Sequence, residues 1–213
     1  MIRRHALRLA GLALGGCSVL PDRPYQESRR YALAPRRPQR NPPRGRGGPV
    51  LLVRSLRAAP GLDQRGLRSI GAEGQVSLAY WDEWAAPPAD AAEAALRGWM
   101  ADSGIFAAVV APGSRLSGDV VMEGELVRLE AVPAEGVARA ALSVLALSDV
   151  ARDPVGQARI LAQVLAEGSA PLAGDSPAAM AAAMEAALGE ALASLERSLR
   201  PALAAARAGV RGR

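Results

Sequence analysis

Cysteine occurs once, histidine once and lysine not at all in this chain of 213 residues. With Cys17 as the only thiol, no disulfide can close within the chain. The one histidine, His5, falls in a leader of the kind that is removed. The remainder therefore lacks Cys/His and Ser/His/Asp machinery and has no histidine to bind a metal. Neither G-x-x-x-x-G-K nor G-x-G-x-x-G is present, so any nucleotide that powers a system this protein serves is bound by another subunit. Tyr, Trp and Phe make up 3% of the residues. A core must then be built from Ala, Leu and Val, and the basic face with interleaved aromatics that nucleic-acid binding wants is missing. After the leader no apolar run approaches the ~20 residues of a membrane span. The expectation is a chain anchored rather than inserted, with no cofactor, no metal and no nucleic acid as partner.

The first thing present is the leader itself. Cationic Met1 to Arg8 is followed by apolar Leu9 to Leu14, and Gly15-Gly16 then lead to Cys17. The order of the parts and the small-residue exit fit a cleaved secretory signal over residues 1–16. Leu14-Gly15-Gly16-Cys17 resembles the lipobox of bacterial lipoproteins, which makes Cys17 the lipidation site and the first mature residue. One acyl chain holds a membrane only marginally, at ~0.8 kcal/mol per buried methylene, whereas two or more hold durably. Ser18, rather than Asp, follows the cysteine and resembles the outer-membrane-sorted kind, with the domain facing the periplasm. Arg3-Arg4 leaves twin-arginine export open beside the general pathway.

Charge is placed unevenly. Residues 18 to 49 hold eight arginines against Asp22 and Glu27, while from Val50 onward 15 arginines face 19 acidic residues. The sequence pI of about 10.5 therefore does not describe a basic domain. Ala34-Pro35-Arg36-Arg37-Pro38-Gln39-Arg40-Asn41-Pro42-Pro43-Arg44-Gly45 is too polar and too rich in proline to offset its ordering entropy. Residues 17–49 thus read as a lipid anchor and tether, either merely solvated or with arginines on anionic headgroups. At polyproline extension 32 residues reach ~100 Å. Within the tether, Tyr31-Ala32-Leu33 can form a short extended arm that pairs with the domain.

A single domain over residues 50–208 follows. Val50–Leu56 fits a buried strand, and Pro60-Gly61 a turn. Two short strands, Leu67–Ile70 and Val76–Tyr80, flank a bend at Gly71–Gly74. Trp81 to Pro88 leads into a helix from Ala89 to Ser103, with Ala92, Leu96, Trp99 and Met100 on one face and Gly104 as its stop. Ile105–Val110 reads as a strand. Three longer strands, Asp119–Glu130, Val137–Asp149 and Ala158–Glu167, have short connections that favour an antiparallel meander. In the last, Arg159, Gln163 and Glu167 share a wet face while Ile160, Ala162, Val164 and Ala166 share a packed one. A long helix starts after Asp175-Ser176-Pro177 and runs to about Arg200, where Pro201 ends or kinks it. Its stripe of Met180, Met184, Leu188, Leu192, Leu195 and Leu199 favours packing on the sheet over a coiled coil, with Glu185, Glu190, Glu196 and Arg197 outside. The fold class is α+β: one domain, a mixed and largely antiparallel sheet with two main helices packed on it.

Carboxylates are the only candidates for chemistry. Glu123 and Glu125 share a strand face, and Asp82 and Glu83 sit between tryptophans, but solvated strand-face carboxylates are far commoner than acid/base pairs. The expectation is no enzyme. Four of the seven large aromatics lie between Tyr80 and Trp99. Tyr80, Trp81 and Trp84 either plug the sheet–helix junction or anchor a partner, since Trp and Tyr dominate interface hot spots.

Taken together, Leu51–Arg54, Ala59-Pro60-Gly61-Leu62-Asp63, Tyr80 to Asp90, Leu96-Arg97-x-Trp99, Ser103-Gly104-x-Phe106 and Glu123-Gly124-Glu125-Leu126 resemble the ABC-type transport auxiliary lipoprotein family, from the lipobox to about residue 200. The resemblance implies a non-catalytic accessory lipoprotein of an ABC-type lipid transport system. Its partners would be an MCE-domain periplasmic protein, an ABC permease and ATPase, and further copies of itself. The other reading kept open is a lipoprotein that binds a lipid or glycan directly, as a carrier or an outer-membrane assembly factor, and an apolar pocket between sheet and helices would distinguish it. Substituting Cys17→Ser should move the protein from the membrane to the soluble fraction; unchanged membrane retention on fractionation would refute the anchor.

Overall fold

The computed structural model describes residues 26–45, 48–148 and 158–211. Cys17, the rest of the leader and Asp149 lie outside the described residues. The elements are β1 (Arg29–Tyr31), β2 (Val50–Ala58), β3 (Gly66–Ile70), β4 (Val76–Trp84), α1 (Pro88–Asp102), β5 (Ala108–Val110), β6 (Val120–Val132), β7 (Val137–Ser148), β8 (Ile160–Pro171) and α2 (Pro177–Arg211). The strands form one mixed sheet.

The long strands β6, β7 and β8 are the backbone of that sheet and pair antiparallel in sequence order, as the short connections require. Gly136, at φ 66°, closes the turn between β6 and β7 in the left-handed region that favours glycine. Alternation sends Ala138, Ala140, Leu142, Val144 and Ala146 of β7 inward, with Leu126 of β6 across from Leu142 and Ala166 of β8 on its far side. On its other edge β6 is shared. Its first half pairs parallel with β2, and its second half meets β3 at Ala131. β3 then pairs antiparallel with β4, while β5 and β1 add short parallel strands to β2 and β4.

Both helices pack on the sheet. α1 begins with Pro88, which suits a first turn whose N–H has no partner. It buries Ala92, Leu96, Trp99 and Met100, the face that spacing predicts. α2 spends Met184, Leu188, Leu192, Leu195 and Leu199 on the sheet and α1. Over Pro177–Ala205 it is long and apolar enough to cross a bilayer by length and composition alone. That corrects the expectation that no such run follows the leader, although the Met/Leu stripe is consumed by the sheet.

Boundaries differ where tertiary contacts overrule local signals. β4 runs on through Trp81 to Trp84, and β8 extends to Pro171. Only Ala108–Val110 of the stretch expected as a strand pairs with the sheet. Ile105 and Phe106 are buried without strand pairing, and the Phe106 carbonyl accepts from Arg44 N at 3.1 Å instead. α2 continues through Pro201 to Arg211. A proline removes one helical hydrogen bond, but Leu199 and Leu203 are buried on either side of it and hold the helix to the domain.

Helix and sheet approach closely at Gly168 of β8, where an added Cβ would collide with the Ala187 carbonyl and the Ala191 amide of α2. A backbone obstacle cannot turn aside as a side chain could, so Gly168→Ala should cost about 2–3 kcal/mol, the upper part of the range of about 1–3 kcal/mol for an overpacked core. A urea titration checks this.

Candidate functional site

The proline- and arginine-rich segment departs from the expectation of a free tether. Over residues 26–45 it lies along the domain as a strap. Its first part is β1, which pairs parallel with Asp82, Glu83 and Trp84, so the arm expected at Tyr31–Leu33 forms, a little earlier in the chain. Arg29 Nη2 donates to Asp82 at 2.9 Å, Tyr31 Oη donates to the other oxygen of Asp82 at 2.9 Å, and Arg30 Nε donates to Glu83 at 2.9 Å. Hydrogen bonding to Asp82 holds the Arg29 guanidinium above its ordinary range, and burial, helped by Asp82, pushes the Tyr31 hydroxyl up. The bond from Arg30 holds the half-buried Glu83 carboxyl below its usual value. Leu33 then enters the core at 5% exposure.

Further along, the strap meets Glu196 of α2. Arg37 Nε donates to Oε2 of Glu196 at 2.9 Å and Trp99 Nε1 of α1 donates to the same oxygen at 2.9 Å, while Arg200 donates to Oε1. Glu196, expected outside the packed stripe, is 6% exposed. Beyond it the strap closes the C-terminus of α1, whose last carbonyls have no helical partner. Asn41 N donates to the Asp102 carbonyl at 2.9 Å, and Asn41 Nδ2 and Arg200 Nη2 each donate to the Ser103 carbonyl at 3.1 Å. Arg40 pairs with the Asp102 side chain at 2.8 Å. Cations at that end also suit the helix dipole.

Of the three aromatics expected as partner anchors, the structure separates one from the other two. Trp84 is 2% exposed and belongs to the core, so it offers nothing to a partner. Tyr80 is 82% exposed and Trp81 38%, and their rings meet edge to face with centroids 4.7 Å apart. Sequence reasoning missed Glu196 and, beyond the arm at Tyr31–Leu33, the strap's contacts.

The carboxylates do not assemble a reactive pair. Glu123 lies 3.8 Å from Arg54, and with Glu125, Ser55, Arg57 and Gln163 it lines a shallow groove of about 380 Å³ on the sheet face opposite the helices. Among the described residues, no three metal-ligating side chains come together. A space bounded by Val53, Leu56, Leu96, Met122 and Val144 has no room for a water. A half-open pocket under the strap at Arg40, Asn41, Asp102 and Phe106 holds about 260 Å³, below the ~300–1,000 Å³ of ordinary ligand pockets.

Burial pushes the Glu196 carboxyl up, but hydrogen bonds from Arg37, Arg200 and Trp99 outweigh it and hold the group below the ordinary value of 4.5. A depressed folded value means that the stabilisation is complete above 4.5 and fades as pH falls below it, through the folded value. Glu196→Ala should cost about 3 kcal/mol, the low end for breaking a buried pair, because Arg37 can turn to water. It should also flatten the acid limb of stability; urea titrations of both proteins at several pH values read the two effects.

Residues 31–196 match the family model described as ABC-type transport auxiliary lipoprotein component. The matched span begins in the strap at Tyr31 and ends at Glu196. Among solved structures the chain is similar to protein XCC0632 from Xanthomonas campestris, at 24% identity and TM-score 0.66, over 79% of this chain and 93% of that one. It is also similar to an uncharacterised protein at 15% identity and TM-score 0.60, over 80% and 97% of the two chains. At these identities the two likenesses show the fold alone. No curated protein matches the chain.

Proposed function

The chain belongs to the ABC-type transport auxiliary lipoprotein component family, a membrane-anchored auxiliary part of an ABC-type transport system, and from that premise we propose that its domain docks a periplasmic MCE-domain component of a lipid transport system at the outer membrane. Cys17 carries the lipid, Ser18 sends the protein to the outer membrane, and the permease and ATPase lie at the other end of the system. The protein performs no chemistry of its own.

The observation that carries a docking role is the uncovered face of the sheet. Both helices lie on one side, and the other side, across β2, β6, β7 and β8, presents the groove of Ser55, Arg57, Glu123, Glu125 and Gln163, with Leu165 61% exposed beside it. A shallow mixed surface of this kind suits a protein better than a small molecule. The filled space at Val53, Leu96 and Met122 gives no support to a lipid or glycan carrier.

A photo-crosslinking residue at Gln163, in the membrane-bound protein, should capture an MCE-domain protein, and affinity purification of the adduct should bring the permease and ATPase with it. Adducts with none of these would overturn the reading.

A further inference from the structure

Of the large apolar side chains exposed among the described residues, Val76, Leu78, Tyr80 and Trp81 come from one short run of β4. Val76, Leu78 and Tyr80 occupy alternate positions and so share one side of the strand, and Trp81 touches Tyr80. On the edge away from β3, β1 covers only Asp82–Trp84, which leaves Val76–Trp81 without a neighbouring strand among the described residues. A contiguous apolar patch of this kind marks an interaction site.

The course of the chain decides what covers it. β1 and β4 are parallel, with Arg29 beside Asp82 and Tyr31 beside Trp84. Going back from Arg29 therefore leads away from Trp84 and toward Trp81, Tyr80 and Val76. Cys17 precedes Gln26, the first described residue, by nine positions, a span of at most ~30 Å. The end of the domain that carries the patch is the end from which the chain departs toward its anchor.

We propose that the Val76–Trp81 edge of β4 rests on the lipid surface to which the chain is anchored, with Tyr80 and Trp81 at headgroup level. Trp and Tyr are the side chains that concentrate at membrane–water interfaces, apolar ring inward and polar tip in water. The neighbouring carboxylates are not free anions: Asp82 receives Arg29 and Tyr31, and Glu83 receives Arg30 and Ser28. The Arg29 and Arg30 side chains stay 60% and 63% exposed, free to lay their stems along the surface. Glu27 and Glu73 are also exposed nearby in the chain, so the contact is apolar in origin and does not need anionic lipid. From sequence alone these aromatics suit a protein partner equally well; the departure of the chain beside them favours the bilayer. The inference rests on the lipid anchor proposed at Cys17.

The test uses the full lipidated chain in phosphatidylcholine vesicles, with and without bromine on the acyl chains, and reads tryptophan emission. Brominated vesicles should remove the emission that comes from Trp81 and leave that of the buried Trp84 and Trp99. Trp81→Phe should abolish the difference between the two vesicles. Equal emission in both, quenching that survives Trp81→Phe, or shielding of Trp81 only on addition of an MCE-domain protein would overturn the proposal. Protein that fails to float with the vesicles refutes the anchor and this inference with it, whereas protein that floats without quenching refutes the inference alone.

Discussion

A single carboxylate joins three parts of the molecule that are distant in the chain. Glu196 sits on α2, and its two oxygens accept from Arg37 of the strap, Trp99 of α1 and Arg200 one turn onward. A buried charge is tolerable only when its lone pairs are satisfied, and each donor here fixes a different element. Trp99 sets α1 against α2, while Arg37 sets the strap across both. With Arg37 placed there, Leu33 is carried into the core on one side and Asn41 onto the end of α1 on the other. The strap's path is over-determined by these contacts, although its composition alone would leave it disordered.

The uneven charge of the chain acquires a structural meaning. Four arginines of the basic segment meet four carboxylates of the acidic domain: Arg29 with Asp82, Arg30 with Glu83, Arg37 with Glu196 and Arg40 with Asp102. They are not equal contributors. Arg40 and Arg30 keep 81% and 63% of their side-chain surface in water, where an ion pair is worth ~0–1 kcal/mol and is screened by salt. Arg37 and Glu196 are 15% and 8% exposed, so that pair holds its geometry in a poorer dielectric. The strap is thus fastened by one buried junction, a few backbone bonds and Leu33, with the outer pairs guiding its register.

What could be read from sequence followed the length of the signal. The stripes of α1 and α2 and the β6–β8 meander repeat often enough that periodicity identifies both the element and its buried face, except at Ile160, which a register shift at the start of β8 leaves 67% exposed. Beyond its arm at Tyr31–Leu33 the strap was not legible, because a compositional rule averages over residues and cannot see that Arg37 finds its acid 159 positions away. Glu196 follows Leu195 by one position in a helix whose charged face is otherwise wet, and only the indole of Trp99 and the guanidinium of Arg37 reveal why it is buried. The aromatic cluster divided by position: the strand that buries Trp84 beside β1 leaves Tyr80 beyond the end of β1, in the open. Local composition treats Trp81 and Trp84 alike; strand pairing does not.

The strap also changes how far the domain can work from its anchor. As a free segment, the 32 residues from Ser18 to Pro49 would reach ~100 Å at polyproline extension. With residues 26–45 laid on the domain, the chain between Cys17 and Gln26 spans at most ~30 Å. If Cys17 carries the lipid, as proposed, a domain on so short a lead stays beside the bilayer, and lost translational freedom there raises its effective concentration for anything else held at that surface. On that anchor a partner comes to the membrane rather than being reached for at a distance. With the lipid at Cys17 and the edge of β4 seated as proposed, the face left for it is the one the helices do not cover.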